Sequence, residues 1–122
     1  MDINVKGPGT AGFIVSEANG YLSRESVTVD GTAAALEAGT ILGKVTVGGN
    51  YVRHAAGATN GSENEAGILY EGIGLGETAE RTIVARSAEV NGSELIYEIG
   101  ADATQITTSD AALAALGIIV RK

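Results

Sequence analysis

Between residues 40 and 47, Thr40, Leu42, Lys44 and Thr46 fall on one side of an extended chain, and Ile41, Gly43, Val45 and Val47 on the other. That alternation predicts a strand with one buried face, opened by Gly39 and closed by Gly48, Gly49 and Asn50. Tyr51-Val52-Arg53 then reads as the returning arm of a hairpin. Upstream, Phe13-Ile14-Val15, the turn pair Asn19-Gly20 and the alternating stretch 23–29 predict a second hairpin, ended by Asp30-Gly31. Residues 32–37 have the composition of a single helical turn, too short to persist without tertiary support. Residues 54–62 are small and turn-forming, a loop. Order returns at 66–70 as a buried strand and breaks in the glycine-rich stretch 71–77.

The longest strand is expected at 81–90. Ile83, Ala85, Ser87 and Glu89 share one face there, and Thr82, Val84, Arg86, Ala88 and Val90 the other. Asn91-Gly92 predicts a hairpin turn into 93–97. Near the end, Ser109 is the expected helix cap, Asp110 suits the positive end of the helix dipole, and Gly117 is the stop, with Leu113 and Leu116 facing inward. Residues 117–121 are apolar enough for a last strand, central or covered by a neighbouring subunit. The fold class expected is mainly β (α+β): a small domain with one short helix near the C-terminus.

The first ten residues differ in kind. Around Gly7-Pro8-Gly9 only Ile3 and Val5 are apolar, too few to hold the segment to a core, so a flexible arm is expected over 1–15 and a single β-rich domain over 16–122. Because Ile3 and Val5 alternate, the arm is suited to adding a strand to a sheet edge on another molecule.

A chain of 122 residues has room for one core. Its apolar content leans on alanine, so stability is modest or shared with a partner subunit. Fifteen acidic against eight basic residues give a net charge of −7, which repels nucleic acid and anionic membranes. No cysteine is present, which excludes disulfides and thiolate chemistry. Apolar runs are far shorter than the ~20 residues a membrane span needs, and a soluble protein made in the cytoplasm is expected.

Few residues offer chemistry. His54 is the single histidine, expected on an exposed loop without an acid to orient it. Glu63 and Glu65 flank Asn64 on one side of an extended segment, but two carboxylates do not make a calcium site, and a solvated face is expected for them and for Glu77 and Glu80. Gly72-Ile73-Gly74-Leu75-Gly76 resembles a phosphate loop only superficially, since Glu77 stands where the third glycine of that pattern belongs. Asn60-Gly61-Ser62 and Asn91-Gly92-Ser93 match the glycosylation acceptor pattern, with no sign of secretion. No Gly-x-Ser-x-Gly elbow occurs. No catalytic, cofactor-binding or metal residue emerges, and by exclusion the chain reads as a structural or binding module.

Four strings, in this order and spacing, carry a resemblance: 38–45, 66–71, 84–91 and 113–121. They run from Ala38-Gly39-Thr40-Ile41-Leu42 to Leu116-Gly117-Ile118-Ile119-Val120-Arg121. Together they resemble the tailed-bacteriophage head decoration protein family typified by lambda protein D, over about residues 23–121. The chain departs from the lambda member in having no tryptophan and a single proline. The resemblance implies a β-clip type fold and no catalysis. It also implies a homotrimer at local threefold sites on the outside of the expanded phage capsid, bound to the major capsid protein and resisting the pressure of packaged DNA. The family's N-terminal arm is loose in the free protein and orders on the shell. By position this assigns Ile3, Val5, Phe13, Ile14 and Val15 to the capsid interface.

The competing class is a lipoyl-carrier-like or other ligand-binding β module, suggested by the string at 38–47. Carriers present their modified lysine at a hairpin tip. Lys44 is expected in mid-strand, and Lys6 and Lys122 lie at the chain ends.

Overall fold

The computed structural model describes residues 13–17 and 22–122. Eight strands, a short 3-10 turn and one helix follow each other as β1 (Ile14–Glu17), β2 (Arg24–Asp30), β3 (Ile41–Lys44), β4 (Tyr51–Arg53), β5 (Glu65–Leu69), β6 (Thr78–Val84), β7 (Ala88–Asn91), the turn (Gly92–Glu94), α1 (Ala103–Ala115) and β8 (Ile118–Arg121). Five strands close a small barrel in the order β2-β4-β3-β5-β6, and β1, β7 and β8 form a separate three-stranded sheet with β7 in the middle. The molecule is mainly β with one short C-terminal helix, as expected.

Paired apolar residues explain the layering. Adjacent residues on a strand point to opposite faces, so Ile41-Leu42 in β3, Ile68-Leu69 in β5 and Ile83-Val84 in β6 each send one side chain inward and one outward. Leu42, Leu69 and Ile83 meet Val29 of β2 in one buried cluster, with Tyr51 of β4 against it; every barrel strand contributes, so this cluster is the barrel interior. Ile41, Ile68 and Val84 form a row across the outer wall, in register with one another. Phe13, Ala88, Val90, Leu113 and Ile118 cover that row from the small sheet and the helix. Strands that look uniformly apolar are therefore buried on both faces.

Several elements differ from expectation. The strand at 40–47 stops at Lys44, and Ile41, Leu42 and Gly43 are all buried, so neither face is solvated. Its hairpin with β4 forms as expected, with Leu42 opposite Arg53 and Lys44 opposite Tyr51. The stretch 13–29 is not a hairpin: β1 pairs with β7, with a bulge at Val15, while β2 pairs along its whole length with β6. The turn expected at Asn19-Gly20 lies outside the described residues. The long strand at 81–90 is two strands in different sheets, broken where Ser87 takes a φ of 55°. Residues 32–37 contain no helical turn; Leu36 instead bridges Ile73. Asn91-Gly92 opens the 3-10 turn, not a hairpin, and Ile96 goes on to bridge Thr40 in parallel.

The helix begins six residues earlier than Ser109. Asp102 caps it, accepting from the Gln105 amide, while the Gln105 side chain accepts from the Asp102 amide. Gly117, at φ 91°, ends it as expected. Leu113 is fully buried and Leu116 packs beside the same cluster. β8 follows and pairs in parallel with β7; it is an edge of its sheet, not a central strand.

Candidate functional site

The densest group of polar side chains surrounds His54, just after β4. His54 is 3% exposed. Its Nε2 lies 3.0 Å from the carbonyl oxygen of Glu63 and 3.3 Å from Oε2 of Glu65. Since a carbonyl only accepts, Nε2 carries the hydrogen. On the other side of the ring Nδ1 faces Oε2 of Glu98 at 3.8 Å and makes no hydrogen bond. The Ser109 hydroxyl donates to Glu65 Oε2 at 2.6 Å, and Glu98 Oε1 accepts from the Ala56 amide at 3.0 Å. The histidine is thus buried between acids, contrary to the exposed, acid-free position expected, and Glu65 is not on a solvated face.

This arrangement ties elements together and offers no reactive pair. Ser109 donates to the Glu65 carboxylate and not to the imidazole, and at 2% exposure its hydroxyl is neither paired with the histidine nor open to a substrate. The two carboxylates sit against opposite ring nitrogens, so one ion cannot use both together with the histidine. Among the described residues no group of three or more His, Asp or Glu side chains converges to hold a metal. What the cluster does is bolt β4, β5, the loop at 97–101 and α1 to one another.

Other candidates resolve equally plainly. Glu77 Oε1 accepts from the Gly74 amide at 2.7 Å, so a carboxylate of the chain itself occupies the inside of the glycine loop. Glu63 Oε1 likewise accepts from the Gly61 amide. Glu80 sits on β6 opposite Thr28, and its carbonyl accepts from Arg81. Lys44 is the last residue of β3, not mid-strand, with its ammonium 5.9 Å from the centre of the Tyr51 ring.

Of the residues assigned to an interface, Ile3 and Val5 lie outside the described residues. Phe13 is 2% exposed and belongs to the core. Ile14 is half-buried beside that core on β1, and Val15, at the bulge, is 56% exposed.

The most exposed aliphatics among the described residues lie outside the sites expected from the sequence. Val47, Leu75 and Ile99 are 87%, 70% and 82% exposed. Each directly precedes a glycine with positive φ: Gly48 at 88°, Gly76 at 83° and Gly100 at 75°. The left-handed glycine makes a tight turn, and the aliphatic before it is pushed out at the tip. An aliphatic before a glycine is too weak a signal to find them, since Leu42 before Gly43 is fully buried and Leu116 before Gly117 packs against the core. Ile99 also lines, with Ala33, Ala34, Leu36 and Val52, a mainly apolar groove of about 330 Å³.

No curated protein sequence matches the chain. A family model described as Bacteriophage lambda head decoration protein D matches residues 4–118. That span takes in the barrel, the small sheet and the helix alike, and on it the chain belongs to the bacteriophage lambda head decoration protein D family, structural proteins of the phage head and not enzymes.

Proposed function

We propose that the chain binds the outer surface of the expanded phage capsid as homotrimers at local threefold sites and stabilises the shell against packaged DNA. Family membership supports decoration of a capsid in general. The observation that carries the finer reading is the set of turn tips at Val47, Leu75 and Ile99. One exposed aliphatic needs no explanation, but three presented by the same glycine device have the form of anchors for apolar pockets on a partner. The partner is the major capsid protein. The N-terminal segment adds Ile3 and Val5, as a strand on a capsid sheet edge, and Val15 beside them. Phe13, buried in the core, and half-buried Ile14 next to it back Val15 from beneath.

Symmetry supplies the strength. Weak contacts repeated in three copies bind tightly because each engaged copy raises the effective concentration of the next. The net charge of −7 keeps the protein off the packaged nucleic acid.

The test is co-sedimentation with expanded, empty shells. The triple variant Val47→Ser, Leu75→Ser, Ile99→Ser keeps its circular dichroism spectrum, since those three side chains are exposed, and a chain lacking residues 2–12 is expected to keep its own. Each binds shells at least about tenfold more weakly, the loss expected when one or two aliphatic side chains no longer bury. Sedimentation equilibrium reports trimers. Full binding by both variants would refute the reading.

A further inference from the structure

We infer that Asn60 is a latent deamidation site, and that the Glu63 carboxylate protects it. An asparagine followed by glycine is the pair most open to attack by its own backbone. The amide nitrogen of Gly61 bonds to Cγ of Asn60 and loses its proton to solvent base, and the Cγ–Nδ2 bond breaks to release ammonia. Water then opens the ring to aspartate or isoaspartate, so that an NH2 is replaced by OH.

Asn60 is exposed, and this dipeptide cannot be replaced by a safer one. Gly61 has a φ of 108°, and a Cβ there would meet Thr46 Oγ1 at 2.5 Å and the Lys44 carbonyl oxygen at 2.6 Å. The asparagine is used too: its Oδ1 accepts from the Ser62 amide and hydroxyl at 3.1 and 2.7 Å, and its carbonyl accepts from the Thr46 amide at 2.8 Å. The turn joins the loop at 54–64 to the end of the β3–β4 hairpin.

Glu63 counters the hazard. The Gly61 amide, the attacking group, donates to Glu63 Oε1 at 2.8 Å. A carboxylate in that position holds the proton that must leave and places negative charge beside the nitrogen that would become an anion. Isoaspartate would lengthen the backbone at Asn60, break its bond to Thr46 and displace the Val47 tip. In an assembled particle, where subunits are not replaced, such damage would accumulate.

The experiment follows conversion of Asn60 by peptide mapping and mass spectrometry during incubation in mildly alkaline buffer, in the wild type, Glu63→Ala and Glu63→Gln. Asn91-Gly92-Ser93 serves as an internal reference, because Asn91 Oδ1 makes the same two bonds to its serine. Conversion at Asn60 rises on the order of tenfold in Glu63→Ala, the factor that matches loss of one hydrogen bond to a charged group. Glu63→Gln, which keeps an acceptor without the charge, falls between. If the alanine variant loosens the whole chain, both sites speed up, so the ratio of the Asn60 rate to the Asn91 rate decides. A ratio unchanged from the wild type, or lowered because the carboxylate was acting as a base, overturns the inference.

Discussion

Glu17 shows how a single side chain can hold two sheets together. It sits at the end of β1, in the small sheet, and accepts hydrogen bonds from Arg24 and Ser23 where β2 of the barrel begins. The Arg24 guanidinium holds its carboxyl below the usual carboxylate range against the opposing effect of burial, and the Ser23 hydroxyl lowers it further. A carboxyl lowered in the folded state contributes stability at pH above its unfolded value, and that contribution disappears as pH falls through its folded value. Glu17→Gln should therefore cost about 1 kcal/mol at neutral pH. The cost should vanish in acid, so the variant's stability falls less steeply than the wild type's. Urea denaturation across the acid range measures this, and parallel curves would show that the pair contributes nothing. Asp30, at the end of β2, is lowered as well, chiefly by the Thr32 hydroxyl and then its amide, with a weaker bond from Thr78 at the start of β6. Tyr97 moves the other way: burial, then its bond to Asp110, keeps its phenol protonated well past the ordinary tyrosine range.

Elements whose signals are local were readable from the chain, and those decided by distant partners were not. The turn between β3 and β4, the spans of β2 and β5 and the helix stop at Gly117 carry local signals and form close to where expected, although β3 ends at Lys44 and the partner of β2 is the distant β6. The helix start was misplaced because 103–108 carries little apolar periodicity, and the cap at Asp102 works through Gln105. Ser109, taken for the cap, is a buried mid-helix residue whose partner Glu65 is 44 residues away. The two substitutions separate these roles. Asp102→Ala should cost about 1 kcal/mol, the value of an N-cap. Ser109→Ala should cost about 1–3 kcal/mol, because it leaves a buried carboxylate short of a donor. Only Ser109→Ala should also change the His54 ring signals in an NMR spectrum, and a change of equal size in Asp102→Ala would count against this division. Asn91-Gly92 failed as a hairpin marker for a related reason: Ser93 bonds back to the Asn91 side chain and curls the chain into a 3-10 turn, as Ser62 does to Asn60 in the loop expected there. The alternation at 81–90 concealed its break, since Ser87 fits the pattern while its backbone turns the chain out of the barrel.

Because β3, β5 and β6 each feed both apolar clusters, the barrel and the small sheet with its helix should not melt separately. Removing side chains from one cluster loosens strands that wall the other. Leu69 is fully buried inside the barrel, and Leu113 of α1 is fully buried between barrel and helix. Leu69→Ala and Leu113→Ala should each cost about 2–5 kcal/mol, the range for a leucine cavity in a packed core. Each should lower one shared transition seen alike by far-ultraviolet circular dichroism and tyrosine fluorescence, with no second step. If Leu113→Ala instead released the helix early while the barrel persisted, the two layers would be separate units and the row Ile41, Ile68, Val84 would be a docking face, not a core. A shared transition bears on the docking proposed above, because tips as exposed as Val47, Leu75 and Ile99 could serve as anchors only if a rigid barrel beneath them kept their spacing constant.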